Sequence, residues 1–238
     1  MIPNLGNLDI AAMLIWYVVF VLSTTCHEFA HALSAYLGGD RTAYHGGLLT
    51  LDPTPHIKHS PFGMLLVPFA SFILSAPNSW MIGWASVPYD PRWGHRHPRR
   101  QALMSLAGPL ANFTLALIAF IAIKALIAGG ILMKVRGYDF SHIVGLSGGI
   151  PRSSLLGMLP LFLSVMFNLN LLLGLFNLLP LPPLDGAGVV QGASPRTAGR
   201  IYDMLRQNSM FQILGLLVAW KVFGLIAFPA LRLAKSMI

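Results

Sequence analysis

The stretch that decides the fold runs from Ile10 to Leu37 and reads IAAMLIWYVVFVLSTTCHEFAHALSAYL. Its first half is almost entirely apolar, whereas its second half carries the polar pattern HEFAH at residues 27–31. An α-helix rises about 1.5 Å per residue and the hydrocarbon core of a bilayer is about 30 Å thick, so this stretch is long enough to cross a membrane once. The sequence therefore predicts a membrane-spanning helix with ionisable residues towards its end.

The whole chain has the composition of a membrane protein. Of its 238 residues, 55% are hydrophobic and only 10% are charged, which is too few charges to cover a water-soluble globule of this size. Pro61–Val87 is long enough for one span or for a re-entrant hairpin, but not for two spans. The predicted fold is an all-α polytopic membrane protein with about five to six transmembrane or re-entrant segments. The other predicted spans are Arg99–Gly129, Ser154–Pro180 and Met210–Leu231.

The basic residues indicate how the chain is oriented. The formal net charge is +8, and no Lys or Arg precedes the first span, whereas Arg41 and Lys58 follow it. By the positive-inside rule the N-terminus is expected outside, with Arg41–Ser60, Arg92–Arg100 and Gly186–Gln207 on the cytoplasmic side. Orientation explains these basic loops, so a nucleic-acid partner is not expected. The expected location is the cell membrane, with the lipid bilayer as solvent and the active site near the cytoplasmic side.

One integral membrane domain over residues 1–238 is expected, because no linker is long enough to separate two. The first apolar stretch runs into HEFAH without a small-residue cleavage site, so no cleavable signal peptide is expected. Within the insert that follows this stretch, the proline-bounded run Gly46–Leu51 predicts a short strand or β-hairpin at the cytoplasmic surface. Cys26 is the only cysteine, which excludes an internal disulfide and a cysteine-based zinc cluster.

The HEFAH pattern predicts a zinc site. Residues four apart on a helix share one face, so the imidazoles of His27 and His31 can reach a single Zn²⁺. Glu28 is rotated by about 100° from His27 and can approach a water molecule on the metal. It is also the only glutamate in the chain. Ionisable residues in a span cost roughly 2.5–3.5 kcal/mol each on insertion scales, so a structural role alone is disfavoured.

A catalytic zinc site normally has three protein ligands, so a third must come from elsewhere. The best donor is Asp185 in NLLPLPPLDG at residues 177–186, where an apolar helix runs into a proline-broken segment that ends in a carboxylate. The prolines free backbone groups that are tolerated only where they line a cavity. An ordinary turn aspartate before Gly186 is the alternative.

HEFAH together with NLLPLPPLDG resembles the paired signature of the site-2 protease, or M50-type, intramembrane zinc metalloproteases. The resemblance covers about Ala12 to Asp185 and includes SLAGPLAN at residues 105–112, which is similar to the helix between the two signatures. It implies that His27, His31 and Asp185 hold one Zn²⁺ per chain and that Glu28 activates water.

The predicted function is hydrolysis of peptide bonds in or near transmembrane segments of substrate proteins by attack of water that Glu28 deprotonates. Asn177 is a candidate for anchoring the substrate backbone. His56 and His59 are expected to be solvated residues at the membrane interface. Two alternatives stay open: a membrane-embedded metalloprotease that cuts soluble or surface peptides, and a non-enzymatic zinc carrier.

Overall fold

The computed structural model describes residues 9–75, 80–135, 140–148, 155–196 and 199–238. Most of these residues are helical, and two short strands lie between the second and third long helices. In chain order the elements are α1 (Ile10–Leu37), α2 (Thr42–His45), α3 (Pro53–His59), a π-helical segment (Phe62–Leu66) that continues into α4 (Val67–Leu74), α5 (Pro91–Arg96), α6 (Pro98–Ala128), β1 (Leu132–Lys134), β2 (Val144–Leu146), a 3₁₀ turn (Leu155–Met158), α7 (Leu159–Asn177), α8 (Asp185–Ala193), α9 (Gly199–Gln207) and α10 (Ser209–Met237).

Four helices in the described part of the chain are long and apolar enough to cross a membrane: α1, α6, α10, and α7 together with the 3₁₀ turn before it. They correspond to the predicted spans, although the predicted start of the third, Ser154, lies outside the described residues. Polar side chains such as Ser23, Asn112 and Asn170 are fully buried, whereas Leu217 and Leu225 of α10 are largely exposed. This arrangement, polar inside and apolar outside, suits a protein solvated by lipid. The polytopic all-α fold is therefore confirmed.

The core lies where α1, α6 and α7 pack together. Trp16 and Phe20 of α1, Ala116 of α6 and Val165 of α7 are all nearly inaccessible. Small residues on α6 let the helices approach closely, which is how helices associate where lipid provides no hydrophobic driving force between them. α8 packs against the first turns of α6, so the chain that follows α7 folds back onto the same bundle.

Within residues 61–87, the described parts 61–75 and 80–84 lie side by side. α3 and the helix over residues 62–74 are bent by 112° at the break between them. After this helix the chain returns in extended form, and the N–H groups of Ile82 and Trp84 donate to Ser71 Oγ (3.1 Å) and to the Gly63 carbonyl (3.1 Å). A Cβ at Gly63 would overlap the Trp84 carbonyl, so the two limbs are in direct contact. Residues 76–79 of this segment lie outside the described residues.

The strand prediction for Gly46–Leu51 is wrong. These residues form turns because α2 precedes them and the N–H groups of Gly46, Gly47 and Leu48 donate back to carbonyls of residues 42–44. The two strands among the described residues, β1 and β2, come after the C-terminal end of α6. They pair antiparallel, with Met133 opposite Gly145.

The two ends of the helix bundle can be told apart by the helix ends that meet there. α1 finishes where α6 starts, and Trp93 Nε1 and Arg100 Nη1 both donate to the Gly38 carbonyl at 3.0 Å. We call this the site end. At the far end, where α6 finishes, Lys124 Nζ donates to the Met237 carbonyl at 3.1 Å. Three segments were predicted to share one side of the membrane: 41–60, 92–100 and 186–207. The first follows the end of α1, the second leads into α6, and the third lies between α7 and α10, so all three adjoin long helices at the site end.

Candidate metal centre

Three side chains converge in the bundle near the site end. His27 and His31 lie on successive turns of α1, and their Nε2 atoms are 3.0 Å apart. Asp185 is the first residue of α8, and its Oδ2 lies 3.1 Å from His27 Nε2 while its Oδ1 lies 3.3 Å from His31 Nε2. Three potential metal-ligand atoms therefore meet at one point.

The other ring nitrogens of the two histidines are held by hydrogen bonds. His31 Nδ1 lies 2.7 Å from the Met104 carbonyl, which can only accept, so this Nδ1 carries the hydrogen. His27 Nδ1 donates to Asn112 Oδ1 at 2.6 Å. Both partners come from α6. In a neutral imidazole with Nδ1 protonated, Nε2 presents a lone pair, so both Nε2 lone pairs face Asp185.

This donor set fits a cation. Two imidazole lone pairs and a carboxylate converge, and Asp185 Oδ2 is buried without a hydrogen-bond donor among the described residues. Such an arrangement repels itself unless a positive charge lies between the atoms. Tetrahedral zinc with ligand bonds of about 2.0–2.2 Å requires ligand atoms about 3.3 Å apart. The observed separations of 3.0–3.3 Å are close to that requirement. These three side chains would hold one zinc ion.

Gly108 of α6 makes this convergence possible. A Cβ built on Gly108 would lie 2.6 Å from His27 Nε2 and would overlap His31 Nε2. Only a glycine lets α6 pass this close to the two rings while Met104 and Asn112, one turn to either side, reach their Nδ1 atoms. The helix thus supplies both the space for the ligands and the groups that orient them.

Glu28 lies next to the ligands on α1 and is only 5% exposed. Its carboxylate makes no hydrogen bond or ion pair with any other residue that the structure describes. Its carboxylate is therefore not held by another side chain of the described residues.

Asn177 is the last residue of α7 and precedes the proline segment. Its Nδ2 donates to the Leu173 carbonyl of its own helix at 3.0 Å, and it is half-buried. No hydrogen bond joins it to His27, His31 or Asp185. Its role in substrate binding stays a prediction.

The expectation that His56 is a solvated residue is wrong. His56 is 1% exposed, because α3 packs it against the turn before the helix, where its Nε2 lies 2.9 Å from the Thr50 carbonyl. It does not join the metal-ligand cluster within the described residues. His59, at the end of α3, is exposed as expected.

The comparison with known proteins agrees with this geometry. Residues 15–220 match the family model described as Peptidase family M50. The chain belongs to peptidase family M50. It is therefore a membrane zinc metalloprotease related to the site-2 proteases, and zinc is the metal that the His27, His31 and Asp185 cluster suits.

Two curated relatives of this M50 peptidase carry matching names. The Bacillus subtilis (strain 168) protein named "Putative zinc metalloprotease YwhC" is 35% identical over 179 residues, which is 75% of this chain and 68% of the relative. The Mycolicibacterium smegmatis protein named "Putative zinc metalloprotease Rip2" is 29% identical over 172 residues, which is 72% of this chain. The aligned region is 54% of that relative's length, so this chain spans about half of it. No solved structure matches the chain.

Residue patterns alone did not identify the groups that orient the ligands. The Met104 group is a backbone carbonyl, which no side-chain pattern reports. Asn112 lies in the SLAGPLAN stretch and gave one usable signal, because a buried amide in a membrane span of this M50 peptidase needs a partner. The partner itself lies 85 residues earlier in the chain.

Replacing the proposed third ligand tests the metal centre. Asp185→Asn keeps the size of the side chain but replaces a carboxylate by a poorer, neutral ligand. We expect zinc content per chain to fall well below one and proteolysis to be lost, as measured by metal analysis of purified protein and by a cleavage assay. The matched control is Asp203→Asn, which changes an aspartate on α9 whose partners are Gln191 and His95. Wild-type zinc content in Asp185→Asn would exclude Asp185 as a ligand.

Proposed function

We propose that this M50 peptidase hydrolyses peptide bonds in or near transmembrane segments of substrate proteins, and that residues 1–238 form a single integral membrane metalloprotease domain. The observation that carries the proposal is the position of the ligand cluster. His27 and His31 are buried within a helix long enough to span the membrane, and their orienting partners lie on a second such helix. A substrate that reaches them must enter the helix bundle.

The chain's own residues divide the hydrolysis between them. When bound, zinc would supply the Lewis acidity that activates a water molecule and a peptide carbonyl. Glu28 accepts a proton from the water as the water oxygen attacks the carbonyl carbon, and returns a proton to the amide nitrogen as the C–N bond breaks. One water is consumed, one carboxyl and one amine are released, and Glu28 ends as it began.

An open apolar groove is the proposed route by which substrate approaches the metal centre. It has a volume of about 390 Å³ and lies between one face of α1 and the start of α3. Val21 and Thr25 line it, and Glu28 differs from Val21 by only about 20° around the helix axis, one turn beyond Thr25. The groove therefore leads along α1 towards the proposed base.

A buried polar group without a partner lies in the wall of the groove. Thr25 is 2% exposed, and its hydroxyl has no hydrogen-bond partner among the described residues. The occupant we propose is an apolar peptide segment that has unwound before cleavage, since only an unwound backbone frees a carbonyl from its helical hydrogen bond and exposes it to attack. The proline-broken residues 180–183, which directly precede Leu184 and the ligand Asp185, are the proposed support for the other side of the substrate.

Photocrosslinking tests the groove. A benzophenone amino acid replaces Val18, which lines the groove, or Leu117, which faces outward from α6; both residues are 55% exposed. In a Glu28→Gln background that retains substrate, we expect crosslinks to a co-expressed membrane substrate from position 18 and not from position 117. Equal crosslinking from both positions, or crosslinking from 117 alone, would exclude the groove as the route.

Substituting the proposed base separates an enzyme from a zinc carrier. Glu28→Gln should keep zinc, because Glu28 is not a proposed ligand, and should lose proteolysis by at least the upper part of the 10²–10⁴-fold range typical of general acid–base catalysis. Zinc content and cleavage are measured on the same purified sample. A folded, zinc-loaded Glu28→Gln protein that cleaves at nearly the wild-type rate would contradict the mechanism, because the chain has no other glutamate to replace it.

We also propose that the site end faces the cytoplasm. The basic residues of the described site-end loops include Arg41, Arg92, Arg96 and Arg100, which the positive-inside rule assigns to that side. Cysteine labelling tests it after Cys26 is replaced by alanine. Ser194→Cys should resist an impermeant reagent applied to intact cells, whereas Met133→Cys in β1 at the far end should react; both positions are exposed. The reverse pattern would overturn the orientation.

A further inference from the structure

A chain of buried side chains connects the candidate metal centre to α7. Asn112 Nδ2 donates to Asn170 Oδ1 at 2.9 Å, and Asn170 Nδ2 donates to Ser23 Oγ at 2.8 Å. Ser23 Oγ in turn donates to the Val19 carbonyl at 2.7 Å. Ser23, Asn112 and Asn170 are all 0% exposed, and they come from α1, α6 and α7 respectively. The chain begins at His27 Nδ1 and ends at a backbone carbonyl.

Backbone carbonyls, which can only accept, determine the direction of the hydrogen bonds in this chain. A backbone carbonyl can only accept, so the Ser23 hydroxyl must donate to Val19 and is left to accept from Asn170. Asn170 Nδ2 also donates to the Met166 carbonyl at 2.8 Å, which fixes the amide nitrogen on that side. Asn170 Oδ1 therefore faces Asn112 and can only accept.

The orientation of the Asn170 amide determines that of the Asn112 amide, and through it the tautomer of His27. Because Asn170 Oδ1 requires a donor, Asn112 must present its Nδ2 to Asn170 and its Oδ1 to His27. A longer contact of 3.5 Å from the same Nδ2 to the Ser23 carbonyl favours the same orientation. Asn112 Oδ1 accepts only, so His27 carries its hydrogen on Nδ1 and keeps the Nε2 lone pair for the metal. If Asn112 were turned over, its NH₂ group would face Nδ1 and favour the tautomer with hydrogen on Nε2, which cannot bind zinc.

The rings of the two histidines are thus held by different kinds of group. His31 Nδ1 donates directly to the Met104 carbonyl, whose polarity cannot change. His27 depends on an amide that has two possible orientations. We propose that Asn170 and Ser23 are positioning residues that hold Asn112 in the orientation His27 needs, so that zinc affinity depends on two side chains that do not touch the metal. The proposal concerns metal binding and does not depend on which substrates are cleaved.

The primary test is Asn170→Leu, with Asn168→Leu as its matched control. Asn168 is also a buried asparagine of α7, 4% exposed, but its Nδ2 donates to the Phe140 carbonyl outside the chain to the metal. Zinc affinity of the full-length protein in detergent is measured by competition with a chelator. We expect Asn170→Leu to lose affinity by about 10–100-fold, the usual effect of removing a group that orients a metal ligand. Asn168→Leu should stay within about twofold of wild type.

A rescue experiment separates orientation from general destabilisation. In Asn112→Asp either oxygen of the carboxylate can accept from His27 Nδ1, so no particular orientation is needed. The loss caused by Asn170→Leu should therefore be several-fold smaller when Asn112→Asp is present. Ser23→Ala provides a milder change with the same expected direction and the same rescue, and it decides the outcome if Asn170→Leu fails to fold.

Three results would overturn the proposal. One is wild-type zinc affinity in Asn170→Leu and in Ser23→Ala. Another is an equal loss of zinc affinity in Asn168→Leu and Asn170→Leu, which would indicate that both substitutions act only by disturbing helix packing. The third is a loss that Asn112→Asp leaves unchanged, because the affinity would then not depend on the orientation of the residue 112 amide.

Discussion

The burial of converging acceptor atoms inside a lipid-solvated helix bundle is the constraint on which the rest of this structure depends. Two imidazole lone pairs and a carboxylate lie 3.0–3.3 Å from one another, and Asp185 Oδ2 has no hydrogen-bond donor in the part of the chain that the structure describes. In a low-dielectric interior this repulsion requires a cation. The close passage of α6 at Gly108, the break after α7 and the placement of Asp185 at the start of α8 all serve to bring these atoms together.

The orientation of the ligands is as important as their presence. Imidazoles that bind a metal through Nε2 must be protonated at Nδ1, and a membrane interior offers no water to correct a wrong tautomer. One ring is held by a backbone carbonyl and the other by Asn112, whose own orientation is set by Asn170. The three core helices α1, α6 and α7 are thereby linked through hydrogen bonds that also determine the chemistry of the site. Packing and metal binding cannot be separated in this bundle.

Residues 80–84, which return beside residues 63–75, and the turns after α2 show how non-helical backbone is hydrogen-bonded in this protein. The returning residues use Ser71, Ser75 and the Gly63 carbonyl to satisfy N–H groups. Such local pairing is required where lipid cannot hydrogen-bond to the backbone. Thr25, in the wall of the apolar groove along α1, keeps a buried hydroxyl that has no hydrogen-bond partner among the described residues.

The sequence by itself determined the four long helices, the polytopic all-α class and the three residues that cluster as potential metal ligands. These features follow from local quantities: the length of apolar runs, the four-residue spacing of two histidines on one helix, and prolines that must end another. The strand predicted at Gly46–Leu51 failed because a four-residue helix captures the N–H groups of that run, an effect that composition does not reveal. The prediction that His56 is solvated failed because its burial depends on tertiary packing, in which α3 folds back against the turn before it. Only the tertiary structure decided that α6 supplies Asn112 and the Met104 carbonyl, and that α7 supplies Asn170. These contacts join residues 58–147 positions apart, and their geometry exists only once the helices have packed.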